Sequence, residues 1–305
     1  MRCAAVDLGT NTARLLIGDL DSGRLSTICI EREIVRLGGG FTDSAGLSES
    51  AQKRALICMK RFSAIMKEHE VRLVRASATS AVRDAVNGPF FVEKVLKETG
   101  IKLVVIDGEL EGKLTLKGVI SGIDSVHDSM VVVDVGGGST EFTIAEHGVI
   151  VYVVSLPLGV VRLTEGFILP DAMSERITGI LDGFKSDISS VGVSIKPDSV
   201  MIATAGTATT LAAIKMEMTD YDYRRVNNLV ISRREIAEIY ERLLPLNPRD
   251  RLKIPGLESG REDLIIAGIL ILLHAMDSLG FTSIKVSDYG LLEGLALAGE
   301  ELCIG

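Results

Sequence analysis

Residues 6–18, VDLGTNTARLLIG, align without a gap on residues 133–145, VDVGGGSTEFTIA. Asp7 falls on Asp134, Gly9 on Gly136, Thr12 on Ser139 and Ile17 on Ile144. An apolar run precedes each copy. A turn follows each one (DLDSG at 19–23, EHG at 146–148), and then a third apolar run, RLSTICI or VIVYVVSL. Each copy therefore reads as strand, tight polar turn, strand, turn, strand. A repeated unit of this kind confines the chain to a duplicated architecture, with a strand meander in each half. The length of 305 residues agrees, because it allows two domains that each bury a core.

The second copy also carries an expense. Its β-branched run ends at Asp134, and Gly136, Gly137 and Gly138 follow before Ser139, Thr140 and a renewed apolar alternation. Glycine weakens a strand, so three together need an offsetting gain. A Walker A loop requires a lysine and leads into a helix, and a dinucleotide-binding GxGxxG loop also leads into a helix. Here no lysine follows and the next element is a strand. A glycine-rich hairpin turn remains, with backbone N–H groups able to converge on an anion. The stretch ATAGTATTLAA (203–213) is a second phosphate-loop candidate, in which a strand gives way to Gly206-Thr207 and then a helix start.

Asp7 and Asp134 each end a strand just before the turn. One such aspartate is usually a turn former; two at equivalent repeat positions leave metal duty equally open. Mg²⁺ is commonly held by one or two carboxylates plus phosphate oxygens. Glu141, two residues after Ser139, points to the same side of its strand, with an exposed strand residue as the plain alternative. Arg83 follows a strand in ATSAVRDAVN. Glu109 and Glu111 open the helix of DGELEGKL, where acidic residues also complement the helix dipole, so spacing leaves dipole partner and general base both open.

The remaining pattern alternates helices and strands. Helices are expected over 48–69 behind a Ser48 cap, over 89–98 stopped by Gly100, and over 109–120, with strands at 71–79 and 102–106. The second half predicts a helix through Ile177 and Ile188, a strand at 199–204, and a helix from a capping box at 232–235 to Pro245. A buried helix covers 264–273, a strand 283–288 and a last helix 291–302. The longest apolar run, LIIAGILILL, is too short to span a bilayer, and an acidic residue at position 7 leaves no room for a signal peptide. These features predict a cytoplasmic protein with no membrane role. Cys3, Cys29, Cys58 and Cys303 form no CxxC pair and are expected as reduced thiols, and the histidines lack ligand spacing. A net charge of −8 argues against a nucleic-acid polymer as partner but not against a small anion held by local arginines. The domains are placed at 1–124 and 125–305 around a shared cleft, with a helix at 291–305 able to pack back on the first.

Asp7-x-Gly9-x-Asn11, Arg36-Leu37-Gly38, Ala78-Thr79-x-Ala81-x-Arg83-x-Ala85-x-Asn87, Asp134-x-Gly136-Gly137-Gly138-Ser139-Thr140-Glu141 and Gly206-Thr207 occur in order, closed by VSDYGLLEG. This set resembles the exopolyphosphatase/guanosine pentaphosphate phosphohydrolase family of the actin-like, sugar-kinase-like ATPase superfamily, over essentially the whole chain. The resemblance implies an α/β fold of two ribonuclease-H-like domains, with mixed sheets flanked by helices and a cleft between the lobes. It implies hydrolysis of the terminal phosphate of polyphosphate or of guanosine pentaphosphate, with Mg²⁺ or another divalent cation. By the same likeness Glu111, in Glu111-Gly112-Lys113, is the general base and Arg83 binds phosphate. Asn11, Thr12, Gly136, Gly137, Gly138, Ser139, Thr140, Gly206 and Thr207 contact phosphates. Asp134 and Glu141, with Asp7 as a third member, organise the metal or the attacking water. The chain resembles the short members that lack a helical C-terminal extension, which predicts a preference for short polyphosphate or nucleotide. Leu292 stands where many relatives have arginine. A small-molecule kinase of the same superfamily, a non-catalytic alarmone sensor and a filament-forming protein are the rival readings, and homodimerisation is left open.

Overall fold

The computed structural model describes residues 1–299. Cys303 and the end of the helix expected at 291–302 lie outside the described residues. The described chain forms two compact units, one of residues 1–118 with 290–299, the other Val119–Tyr289.

The first unit runs β1 (Arg2–Leu8), β2 (Thr12–Asp21), β3 (Arg24–Ile34), α1 (Glu49–Glu68), β4 (Leu73–Ala78), α2 (Ser80–Arg83), α3 (Gly88–Thr99), β5 (Leu103–Val105) and α4 (Gly108–Gly122), whose last turn crosses the unit limit. The strands order as β3-β2-β1-β4-β5. The first three form an antiparallel meander, while β1, β4 and β5 are parallel. Ala4, Val6 and Leu8 pack into one core with α1 and α3 residues, and Ala5 packs into another with Leu114. Both faces of β1 are covered, which is why its sequence is apolar from Cys3 to Val6 rather than alternating. Ser48 caps α1 by accepting the Ala51 N–H at 3.4 Å, and α3 stops at Gly100 with φ 75°.

The second unit runs β6 (Ser129–Val135), β7 (Thr140–Glu146), β8 (Val149–Leu156), α5 (Val160–Gly166), α6 (Pro170–Ser190), β9 (Val200–Thr204), α7 (Ala205–Lys215), α8 (Tyr223–Val226), β10 (Val230–Ser232), α9 (Arg233–Leu243), α10 (Pro248–Arg251), α11 (Ile265–Leu279) and β11 (Ser283–Val286). Its sheet orders as β10-β11-β9-β6-β7-β8, with β6, β9 and β11 parallel. The apolar stretch read as a buried helix is α11, buried without a break from Ile265 to Leu273. The last helix, α12 (Leu291–Leu297), returns to the first unit. It is shorter than expected, because Ala298 is extended at φ −58° and ψ 142°.

The duplication reaches into fine geometry. Asp7 pairs in register with Arg14, and Asp134 with Glu141. The Gly9 N–H donates to the Thr12 carbonyl at 3.0 Å, and the Gly136 N–H to the Ser139 carbonyl at 3.0 Å. The second and third strands slip register after Ile17 in one unit and after Ile144 in the other, the very pair the alignment matched. Both hairpins then turn on two residues of positive φ, Ser22-Gly23 and His147-Gly148, the backbone that suits a two-residue β-hairpin loop. Cys3, Cys29 and Cys58 are free thiols. Among the described residues no helix is long and apolar enough to cross a membrane.

Candidate active site

In the first unit three parallel strands bring three segments to one sheet end: the turn after Asp7, the Thr79–Arg83 segment and the start of α4. The turn is gripped by its carbonyls. Val35 and Arg36 donate N–H groups to Asn11 O at 3.0 and 2.8 Å, and Gly38 donates to Thr10 O at 2.8 Å. This is the structural work of Arg36-Leu37-Gly38, a segment itself pinned by Arg54 on the Val35 and Arg36 carbonyls. Thr12 opens β2 and supplies the carbonyl that closes the turn. Thr10 and Ser80 share a hydroxyl bond of 2.8 Å that ties the turn to α2. Asn87 also proves structural, since both ends of its amide bond the Leu47 backbone, at 2.8 and 2.9 Å.

Asp7 is buried, and Arg14 donates to its Oδ2 from Nη2 at 2.9 Å and from Nε at 3.2 Å. Its Oδ1 has no hydrogen-bond partner, and neither have Asn11 Oδ1 and Ser77 Oγ. Asp7 and Ser77 are register partners, so their side chains share a face of the sheet. Buried polar atoms left unpaired cost about 1–3 kcal/mol each, and water or a bound polar group is the usual way such bonding is completed.

Glu111 is 7% exposed in the first turn of α4. Arg83 donates from Nη1 to Glu111 Oε2 at 3.3 Å and to the Ile106 carbonyl at 3.0 Å. Glu109 instead has a side chain 62% exposed and paired with Lys113. The two glutamates that spacing could not separate are thus distinguished by burial.

In the second unit the glycine turn is held by the same device. Val160 donates to Gly136 O at 3.0 Å, Val161 to Gly137 O at 2.9 Å, and Arg162 Nε to Gly138 O at 3.1 Å. The approach requires Gly159, where an added Cβ would fall 2.3 Å from Gly137 O. With its carbonyls occupied, the turn keeps the N–H groups of Gly137, Gly138 and Ser139 without a partner among the described residues. Thr140 contributes main chain only, because its hydroxyl is buried on the Leu158 carbonyl at 2.5 Å.

Asp134 and Glu141 are buried register partners. Ser139 and Ser155 donate hydroxyls to Glu141 Oε1 at 2.7 and 2.6 Å. Like charges directly opposite each other on a sheet are destabilising, and a cation beside them reverses the sign of that term. The first unit has Arg14 at the position that Glu141 takes in the second, and Arg14 bonds Asp7 directly. The all-oxygen pair fits a hard divalent cation that draws its remaining ligands from phosphate and water. Among the described residues no group of three or more His, Cys, Asp or Glu stands ready to hold a metal, and Asp7 belongs to the other unit from Asp134 and Glu141.

β9 lies beside β6, with Thr204 in register with Asp134, so the start of α7 adjoins the glycine turn. α7 begins at Ala205, which places Gly206 and Thr207 in its first turn rather than in a loop before it. Thr207 packs its hydroxyl on α11, where a Cβ at Gly268 would meet it at 2.3 Å. A Cβ at Gly206 would fall 1.7 Å from Arg261 Nη1. Arg261, Ser155 and Gly159 are site residues that the sequence reading missed. Only Ser155, a lone hydroxyl in the apolar run VIVYVVSL, left a signal.

Residues 16–301 match the family model described as the Ppx/GppA phosphatase family. The chain belongs to this family. Exopolyphosphatase 2 of Mycobacterium tuberculosis is 30% identical over 97% of this chain and 98% of its own length. A bifunctional 3-dehydroquinate synthase/phosphatase of Fusobacterium nucleatum is 33% identical over 98% of this chain, which spans only 46% of that protein. A guanosine-5'-triphosphate,3'-diphosphate pyrophosphatase of Photobacterium profundum is 28% identical over 96% of this chain and 58% of its own length. Among solved structures, an exopolyphosphatase from Cytophaga hutchinsonii superposes with TM-score 0.88 at 29% identity, covering 99% of this chain and 98% of that one. The Aquifex aeolicus PPX-GPPA enzyme gives 0.80 at 30% identity, covering 98% and 99%. The expected fold class, two mixed sheets flanked by helices in an actin-like Ppx/GppA architecture, holds.

Proposed function

We propose that this Ppx/GppA family protein is a phosphohydrolase that releases the terminal phosphate of inorganic polyphosphate or of guanosine pentaphosphate. The observation that carries the reading is the turn at 136–140, where unpartnered amide N–H groups stand beside a buried carboxylate pair. An anion suits the first and a cation the second. The named activities of the Mycobacterium and Photobacterium relatives support a phosphoanhydride as substrate.

Phosphoryl transfer requires charge neutralisation and in-line positioning more than covalent help. The N–H groups of Gly137, Gly138 and Ser139 receive phosphate oxygens, and the first turn of α7 with Arg261 receives the adjoining phosphate. Asp134 and Glu141 would hold Mg²⁺, which would draw its remaining ligands from phosphate and water. Mg²⁺, when bound, spreads the charge of the transferred group. Glu111, oriented by Arg83, takes the proton from the attacking water.

The test is phosphate release from tripolyphosphate, long-chain polyphosphate, pppGpp and ATP, with and without Mg²⁺. Mg²⁺-dependent release from polyphosphate or pppGpp is expected. Formation of ADP only after an acceptor is added would show a kinase instead. Glu111→Gln should lower kcat by about 10²–10⁴-fold, the usual contribution of a general base, while substrate Kd stays within a few-fold. A near-normal rate removes Glu111 from that role.

A further inference from the structure

The chain has no tryptophan and five tyrosines. Three of these, Tyr221, Tyr223 and Tyr289, gather at one exposed place in the second unit. Tyr223 and Tyr289 bring their ring centroids to 6.5 Å, inclined by 60°. Tyr221 bonds Asp288 through its hydroxyl. Tyr221 is 52% and Tyr223 37% exposed, and neither joins the hydrophobic core. The Arg224 guanidinium lies 5.5 Å from the Tyr223 ring centre, and Arg225 beside it is exposed.

This cluster is strapped to a defined point. The Asn228 N–H donates to the Val286 carbonyl at 2.8 Å and the Asp288 N–H to Asn227 Oδ1 at 3.0 Å, fixing the 221–228 segment over the end of β11. Thr204, the residue that leads into α7, donates its hydroxyl to the Tyr289 carbonyl at 3.1 Å. Gly122 keeps room for the Tyr289 ring, which a Cβ there would meet at 2.3 Å. β6, β9 and β11 are successive parallel strands. Their ends carry, in order, the glycine turn, the start of α7 and the tyrosines. Neighbouring strands lie about 4.8 Å apart, so this row spans about 10 Å.

We propose that the tyrosine cluster is a nucleobase subsite, which stacks the purine ring of a nucleoside polyphosphate on Tyr221 and Tyr223. The phosphate chain then runs along the strand ends, past α7, to the turn at 136–140. A purine offers a π face for aromatic stacking and for a guanidinium, and a bare polyphosphate offers neither. The inference rests on the phosphohydrolase reading for the direction of the chain, and it selects the nucleotide as the substrate class that uses the whole row.

The experiment compares kcat/KM for pppGpp and for tripolyphosphate in the wild type, in a Tyr221→Ala/Tyr223→Ala double variant and in the matching double Phe variant. Loss of base stacking by alanine substitution corresponds to about 5- to 150-fold per base. The ratio of the two constants, pppGpp over tripolyphosphate, should therefore fall at least 5-fold in the alanine variant and stay near the wild type in the phenylalanine variant. An unchanged ratio in the alanine variant overturns the subsite and leaves the cluster as a protein-docking surface. An equal fall in both variants also overturns it, because the hydroxyl bond to Asp288 would then be the relevant feature. Equilibrium dialysis of pppGpp against the same three proteins separates the two readings. If the wild type releases no phosphate, the phosphohydrolase reading fails, yet weaker pppGpp binding confined to the alanine variant still upholds stacking. Equal binding by all three proteins rejects it.

Discussion

At Gly206 the guanidinium of Arg261 fills the volume where any other residue would place its first side-chain carbon. The Arg261 Nε is tied to Glu258 at 3.0 Å, which fixes the plane of the fork against the first turn of α7. Free N–H groups of a helix start beside a fixed guanidinium suit a phosphate that is held rather than cleaved. Arg261→Ala should raise KM for tripolyphosphate about 10-fold or more, since a hydrogen bond to a charged group contributes about 1.5–3 kcal/mol. Arg261→Lys should recover little, because an ammonium group lacks the planar fork. Initial-rate measurements decide it, and wild-type KM in either variant would clear Arg261 of the role. Nothing in the sequence announced this residue. It lies in GLESGRED, a stretch without periodicity, and only tertiary folding carries it to Gly206. Glu111 was half legible: spacing left it level with Glu109 and the family likeness chose it, while the structure buries it against Arg83 and leaves Glu109 exposed.

At the scale of elements, the closing motif GLLEG is explained by how α12 meets α4. A Cβ at Gly294 would fall 1.9 Å from the Leu114 carbonyl, and one at Gly118 would fall 1.8 Å from the Gly290 carbonyl. The two helices touch backbone to backbone. Glu293 turns back to accept the Gly290 N–H at 2.8 Å, which completes the helix start. Leu292 is buried in a cluster with Ala5, Leu16 and Leu114, so this position is apolar packing. Gly294→Val must push α12 away from α4, and α4 carries Glu111 one turn before Leu114. Overpacking of this kind costs about 1–3 kcal/mol, or roughly 5 °C in Tm. Differential scanning fluorimetry should show that fall, and kcat should drop with KM little changed, as expected when a base is displaced without touching substrate. Unchanged kcat in a destabilised protein would separate α12 from the site. The strands and turns of both meanders were legible because β-branched runs and turn glycines mark them directly. The matching register slips after Ile17 and Ile144 were not, since the following residue is Gly18 in one unit and Ala145 in the other and carries no common signature.

At the scale of the whole molecule, duplication has preserved a frame while altering its charges, and the net charge of −8 conceals where they sit. The same holds for stability against pH. Burial holds His274 below its ordinary 6.5. A hydrogen bond from Lys215, with the Ser232 cap, lowers Glu235 from 4.5 to about 2, and a hydrogen bond from Arg233 lowers Asp277. For all three the unfolded chain binds protons more readily, so stability rises with pH through these windows. Burial acts in the opposite direction at the thiols, raising Cys58 and Cys3 above 9.0, so unfolded thiolates cost stability above that pH. Together the shifts bound a plateau. Tm should be flat between about pH 7 and pH 9 and fall modestly below 6.5 as His274 titrates in the unfolded chain. It should then fall more steeply from 4.5 towards 2 as the paired carboxylates are protonated. His274→Asn should remove the first step and Glu235→Gln should flatten part of the second, with Tm recorded across that range at constant ionic strength. A Tm that peaks near pH 5 and declines towards neutrality would contradict the sign assigned to His274, because only a histidine stabilised in its charged form behaves that way.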